Sequence, residues 1–337
     1  MESSDKTSSG IRRVRIAGTG SYLPEKVLSN TDLEQMVDTS DEWITSRTGI
    51  KERRIARNDE FTSHMAAAAG KRALEQAGLD PADVDLIIVA TITPDTLTPA
   101  TACYVQQLLG SNGAVAFDIS AACSGFLYAL EFAKSGVATG SFQNALIIGA
   151  EKLSAFVNWK DRNTCVLFGD GAGAAVLLPS SNGNGNVLSC YLGTDGAQAR
   201  LLHIPGGGSA CPITIENADE QLASLAMSGP EVFKHAVTAM RRAAERAIAA
   251  ANLTPQDIKL YIPHQANLRI IDAITERLKV SKDRVHINLD KYGNTSAAAV
   301  AIALDEAHRG GRMARGDKIL LFAFGAGLTW ASAVIEW

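Results

Sequence analysis

The chain has 337 residues, 46% hydrophobic and 20% charged, which suits one large globular domain or two ordinary ones and excludes a disordered chain. A net charge of −4 and a pI near 5.9 leave no overall cationic field to hold a phosphate backbone, so no nucleic-acid partner is expected. Nor does any apolar run approach the roughly 20 residues that cross a bilayer, so no membrane partner is expected.

The first ten residues, MESSDKTSSG, are polar and read as a disordered tail rather than a signal peptide. From there strand-like and helix-like periods alternate. RVRIAGTG at 13–20 reads as a strand and HMAAAAGKRALEQAG at 64–78 as a helix. VDLIIVATIT at 84–93, VAFDIS at 115–120 and NALIIGA at 144–150 are further short apolar strands. Buried strands alternating with helices predict an α/β protein with largely buried sheets.

The second half replays the first. LDPADVDL at 79–86 has a counterpart in LTPQDIKL at 253–260, each following an alanine-rich helix and opening an apolar strand. AFDISAACSGFLYAL matches HINLDKYGNTSAAAVAIAL as strand, small-residue turn and helix, and NALIIGAE matches DKILLFAFGAG. A duplicated α/β unit follows, with halves at 11–180 and 181–337 and the Gly/Asn-rich SSNGNGN at 180–186 as the seam. An active site is expected where the two copies meet.

The five cysteines, at 103, 123, 165, 190 and 211, are odd in number and include no C-x-x-C pair, which suits a reducing cytoplasm. Cys123 stands where a strand turns into a helix. Free backbone N–H groups and the helix dipole there would favour a thiolate, making it a candidate nucleophile for acyl transfer; the alternative is a small buried hydrophobe. His264 ends the strand LYIPH, and Asn294 occupies in the second copy the place of Cys123 in the first. A pseudo-twofold relation would bring all three together, although Asn294 also suits a helix N-cap and a lone histidine an ordinary core. Gly169-Asp170-Gly171-Ala172-Gly173-Ala174 lacks dinucleotide spacing and reads as a tight turn with close backbone packing. Phe324-Gly325-Ala326-Gly327 could present backbone N–H groups to an oxyanion. Asp305-Glu306-Ala307-His308 reads as a solvated helix end. No H-E-x-x-H or Cys/His cluster suggests a metal.

These motifs together resemble the β-ketoacyl-acyl-carrier-protein synthase III family of the thiolase superfamily over about residues 11 to 337. The markers are Asp38-Thr39-Ser40-Asp41-Glu42-Trp43-Ile44, Arg47-Thr48-Gly49-Ile50, AACSGF, FGDGAGA, Pro263-His264-Gln265-Ala266-Asn267, Gly293-Asn294-Thr295-Ser296 and FGAGLTW. The resemblance implies a thiolase-like, duplicated αβαβα five-layered fold, a homodimer, and a two-step condensation initiating type II fatty acid synthesis. Cys123 would take the acyl group of an acyl-CoA, usually acetyl-CoA. Malonyl-acyl carrier protein would then lose CO2, its oxyanion held by His264 and Asn294, and attack the thioester. The N–H groups of Cys123 and Ala326 would hold the oxyanion on the acyl-cysteine; Ala326 stands where glycine is commonest. No cofactor is implied, the coenzyme A thioester being a substrate.

The resemblance also implies that Trp43 and Arg162 sandwich the CoA adenine, with Thr39, Arg47 and Asn267 as further CoA contacts; Asn163 departs from a common glycine. Lys234, Arg269 and Arg277 would dock the acidic carrier, with Glu276 replacing a basic residue of some members. Thr98, from the partner subunit, would gate the acyl pocket and leave room for longer or branched primers. The competing readings are a secondary-metabolism relative condensing other acyl groups and a non-catalytic acyl-CoA-binding protein.

Overall fold

The computed structural model describes residues 10–180, 185–218 and 222–337. The expected tail, apart from Gly10, and most of the expected seam lie outside them. The first sheet holds β1 (Val14–Tyr22), β2 (Leu86–Ala90), β3 (Val115–Ile119), β4 (Ala145–Glu151) and β5 (Gly171–Pro179), in the order β1-β5-β4-β2-β3. The β4–β2–β3 part is parallel, and β5 is antiparallel to both β1 and β4. The second sheet holds β6 (Asn186–Thr194), β7 (Ile258–Pro263), β8 (Lys318–Gly325) and β9 (Thr329–Glu336), in the order β7-β8-β9-β6, with only β7–β8 parallel.

The strand sequences explain the layering. Along β2, Leu86, Ile88 and Ala90 face one hydrophobic cluster while Ile87 and Val89 face another. In β8, Ile319, Leu321 and Ala323 share the first cluster and Leu320, Phe322 and Phe324 join a third. Strands apolar on both faces, with side chains alternating at period 2, must be covered on both. Helices α4 (Gly125–Thr139) and α7 (Ala298–Arg309) fill the space between the sheets. Helices α2 (Thr62–Ala77) and α3 (Thr101–Leu109) cover the outer face of the first sheet, after the short α1 (Asp41–Thr48). Helices α5 (Gly229–Ala250) and α6 (Leu268–Arg277) cover that of the second. The result is the five-layered αβαβα arrangement, with α7 buried nearly all round and α4 buried on one broad face that leaves Phe132 exposed.

Two expectations need correction. The second copy has no strand at His286–Asn288: Val285 makes only an isolated bridge with Tyr261. The buried Gln265 side chain satisfies that stretch instead, its Nε2 donating to His286 O (3.2 Å) and its Oε1 accepting from Asn288 N (3.0 Å). Nor does Asp305 lie on a solvated helix end. It is 1% exposed, accepts from the Thr19 and Ser21 hydroxyls (2.8 and 2.6 Å) and pairs with Arg309 (3.0 Å), tying α7 to β1.

Candidate active site

The chain leaves β3 and passes through Ala122 at φ +46°, a left-handed conformation uncommon outside glycine. A single 3-10 turn, Ala122–Ser124, carries Cys123 before α4 begins at Gly125. The matching place in the second copy has the same feature, Gly293 at φ +65° directly before Asn294. The FGDGAGA stretch packs closely against that turn, as expected, but it is not itself a tight turn: Gly171–Ala174 open strand β5. Asn294 N donates to Leu167 O (2.8 Å), Gly169 N donates to Asn294 O (3.0 Å), and Gly169 lies against Tyr292 O too closely for any side chain. His264 follows β7 and donates its backbone N–H to Phe322 O (2.8 Å).

Cys123, His264 and Asn294, all nearly buried, line one cavity of about 560 Å³ together with Phe324 and Gly325. Val232, Phe233, Ala236 and Met240 of α5 supply an apolar wall. Half-buried Trp43 and exposed Arg47, Asn163 and Arg269 form its rim. Such a volume, mostly apolar with a few convergent polar groups, suits a small organic ligand.

Burial sets the charge states. It pushes the Cys123 thiol up to about 12, against which a hydrogen bond with Ser296 works in the opposite direction. The helix start is expected to lower this value, and removal from water acts against it. His264 is pushed down to about 3 by burial, so its ring is neutral at pH 7 and carries one N–H. Neither ring nitrogen has a protein hydrogen-bond partner. The Asn294 Oδ1 accepts from Ser296 N (2.9 Å), which leaves the Nδ2 amine as the group free to donate. The pair therefore offers two donors and no base.

The other expected residues divide. Arg47 and Arg162 both lie against the Trp43 ring, with Cζ 4.5 and 5.2 Å from its centroid. Arg162 also donates to Asp38 O (2.8 Å). Asn267 lines the cavity and caps α6 by accepting from Arg269 N (2.8 Å). Thr39 does not line the cavity, and its hydroxyl is buried without a hydrogen-bond partner. Ala326 directly follows Gly325 of the lining. Lys234 and Arg277 are exposed on α5 and α6, outside the lining that Arg269 joins. Thr98 is exposed in the loop before α3 and does not reach the cavity of its own chain. Sequence reasoning missed Glu151 and Ser296 behind Cys123; the one signal was a lone charge ending the otherwise apolar strand NALIIGAE.

All five cysteines are free. Among the described residues no group of three or more His, Cys, Asp or Glu is placed to hold a metal ion, and no helix is long and apolar enough to cross a membrane.

The chain matches family models described as 3-oxoacyl-[acyl-carrier-protein (ACP)] synthase III over residues 117–196 and as its C-terminal part over residues 248–337. It is 60% identical over 322 residues to a beta-ketoacyl-[acyl-carrier-protein] synthase III of Caldanaerobacter subterraneus subsp. tengcongensis, covering 96% of this chain and 97% of the relative. A synthase of the same name from Roseiflexus sp. is 53% identical over 96% of this chain and 98% of its own length. The crystal structure of 3-oxoacyl-[acyl-carrier-protein] synthase III from Aquifex aeolicus VF5 superposes with a TM-score of 0.89 at 48% identity, covering 96% of this chain and 100% of that one.

Proposed function

The chain belongs to the β-ketoacyl-acyl-carrier-protein synthase III family, and from that premise we propose that Cys123, His264 and Asn294 divide the condensing reaction between them. The enzyme is an initiating condensing acyltransferase of fatty acid synthesis. In the first step the Cys123 sulfur attacks the carbonyl carbon of acyl-CoA. The tetrahedral oxyanion is held by the backbone N–H groups of Cys123 and Ala326, and the CoA thiolate leaves. In the second step malonyl-acyl carrier protein loses CO2, and negative charge builds on its thioester oxygen. The neutral His264 N–H and the Asn294 amide N–H2 stabilise that charge, and the carbanion attacks the acyl-cysteine. The products are 3-oxoacyl-acyl carrier protein and a restored Cys123.

The observation that carries this reading is the convergence on one cavity of a buried thiol and two donors that lack a base. A base would trap a proton where the chemistry needs fixed donors aimed at a growing oxyanion. Trp43, Arg47 and Arg162 at the rim suit an adenine and its phosphates, the indole by stacking and the guanidinium groups by charge. Exposed Lys234, Arg269 and Arg277 suit an acidic carrier. No resident cofactor enters the scheme.

We further propose a homodimer. The sheet edge β3 is unpaired, and Val115 and Phe117 on it are exposed. Leu97, 90% exposed, lies in the loop that also carries Thr98. An apolar edge of this kind calls for a covering partner. Five free cysteines suit a cytoplasmic location.

The test is an intact-mass measurement of the protein with acetyl-CoA, followed by malonyl-acyl carrier protein. One acetyl group gained, absent in Cys123→Ser and discharged by the chase, supports the scheme. A gain that persists in Cys123→Ser overturns the nucleophile, and a gain that the chase leaves in place overturns the second step.

A further inference from the structure

We propose that Glu151, acting through the Ser296 hydroxyl, takes up the Cys123 thiol proton during acylation and returns it when condensation expels the thiolate. The inference rests on Cys123 as the acylated residue. It adds a positioning residue that touches neither substrate nor cavity, since Glu151 and Ser296 are 0% and 2% exposed and lie outside the cavity lining.

The hydrogen bonds around Glu151 are directional. Thr93 Oγ1 accepts from Lys152 N (2.8 Å), so its own proton is committed to Glu151 Oε2 (2.7 Å). Thr91 Oγ1 likewise accepts from Thr93 N (3.0 Å) and lies 3.2 Å from the same oxygen. The amide of Ile92 donates to both oxygens, at 3.1 Å to Oε2 and 3.3 Å to Oε1. Oε2 is thus filled by fixed donors. Oε1 meets the hydroxyl of Ser296 at 3.0 Å, and that hydroxyl also reaches Cys123. Oε1 is therefore the one point on the carboxyl group where a proton can arrive, and Ser296 is the route. Ser296 is held for this at φ +47°, its N–H fixed by Asn294 Oδ1.

The charge arithmetic agrees. A fully buried carboxylate is costly and is retained where it is hydrogen-bonded and used. Burial pushes Glu151 up to about 7, within reach of a transferred proton, and its charge raises the Cys123 thiol. The other ionisable groups nearby are engaged elsewhere. Asp170, next to the strand neighbour of Glu151, is bound by Ser154 and the Ala56 amide, and the Lys152 ammonium faces the carbonyls of Arg57 and Glu60. Toward Glu151 the loop after β2 contributes the hydroxyls of Thr91 and Thr93 and the Ile92 amide, and the turn before α7 contributes the Ser296 hydroxyl.

The step balances. As the sulfur–carbon bond forms, the thiol proton moves to Ser296 Oγ and the Ser296 proton to Glu151 Oε1. The carbon–sulfur bond to CoA then breaks, and the CoA thiolate takes a proton from solvent. Neutral Glu151 persists through the acyl-enzyme. When condensation expels the Cys123 thiolate, the same two protons move back.

The experiment compares wild type, Glu151→Gln and Ser296→Ala by rapid-quench intact mass with acetyl-CoA across pH. Malonyl-CoA decarboxylation is measured in parallel. Acylation of wild type should rise with a midpoint near pH 7, where Glu151 ionises. Both variants should acylate about a hundredfold more slowly at neutral pH. In Glu151→Gln the rise should move up toward the range of the thiol, with decarboxylation within a few fold of wild type. An infrared difference spectrum of wild type at about pH 8, acetyl-enzyme minus free enzyme, should gain one protonated-carboxyl band; this reading needs no variant to fold. A wild-type rate and midpoint in Glu151→Gln, an equal loss of both half-reactions, or no new carboxyl band overturns the proposal. Wild type that gains no acetyl group on Cys123 would instead remove the nucleophile reading beneath it.

Discussion

Gly325 passes so close to Cys123 that a methyl group on its Cα would lie 2.5 Å from the Cys123 amide nitrogen. The contact joins the last turn of the second copy to the nucleophile turn of the first, so the two halves fix each other's geometry. Gly325→Ala must push the turns apart. Overpacking of this kind costs about 1–3 kcal/mol of stability. A shift of ~1 Å at a reacting atom costs about a hundredfold in rate. We expect a folded variant with a lowered Tm and acylation down about a hundredfold, measured by calorimetry and intact mass. An unchanged acylation rate would show that the contact does not set the position of Cys123.

Removing His264 separates the half-reactions. His264→Ala deletes one donor to the malonyl oxyanion, which costs about 3 kcal/mol of barrier, a hundredfold or more in rate. Acylation of Cys123 should stay within a few fold of wild type, since no interaction between His264 and the thiol is needed for it. Radiolabelled CO2 release and acyl-enzyme formation read the two steps independently. Equal losses in both would assign His264 to the nucleophile instead.

The same residue gives a signed pH effect on stability. The folded value, about 3, lies below the ordinary 6.5, so the unfolded chain binds the extra proton between them. Stability from this group is full above 6.5 and falls as pH drops toward 3. Relative to His264→Gln, wild type should therefore lose Tm as pH is lowered from about 7 to about 5. A gap that stays constant would mean that His264 titrates in the folded enzyme as it does in the unfolded chain.

Much of this site was legible before any coordinates, because the repeat carried it. Aligning the halves pairs Cys123 with Asn294, and each is preceded by a residue at positive φ. Those constraints are local, and local constraints leave marks in sequence. The burial that raises the Cys123 thiol did not, because it is a property of the assembled sheets. Asp305 and Glu151 were missed for a related reason. A charge inside an apolar pattern shows its meaning only when its partners, Thr19 and Ser296 here, arrive from distant segments. The absent strand at 286–288 likewise turns on one side chain, Gln265, standing in for a backbone ladder.

Trp43 tests the nucleotide end. The two arginines lie against its ring at 4.5 and 5.2 Å, so Trp43→Ala removes a stacking surface and loosens both. An exposed cation–π or stacking contact contributes about 1 kcal/mol. The KM for acetyl-CoA should rise about five- to tenfold, while kcat with a short pantetheine thioester that lacks adenine stays unchanged. An equal loss with both substrates would place Trp43 in the scaffold rather than at the adenine.

Thr98 makes the sharpest demand on the dimer, because on its own chain it is exposed and outside the cavity lining. If it closes the acyl pocket it must do so in the partner subunit. Thr98→Phe should leave acetyl-CoA rates near wild type and depress longer or branched primers at least tenfold, by overpacking a pocket that tolerates only small volume changes. A mixed dimer then decides between subunits. One chain carries Thr98→Phe with Cys123 intact, and the other carries Cys123→Ser with Thr98 intact. The only reactive cysteine in that dimer is closed by the unmodified Thr98 across the interface, so longer primers should be used at wild-type rates per active site. If they stay excluded, the gate acts within its own chain, and the unpaired β3 edge loses its link to primer choice.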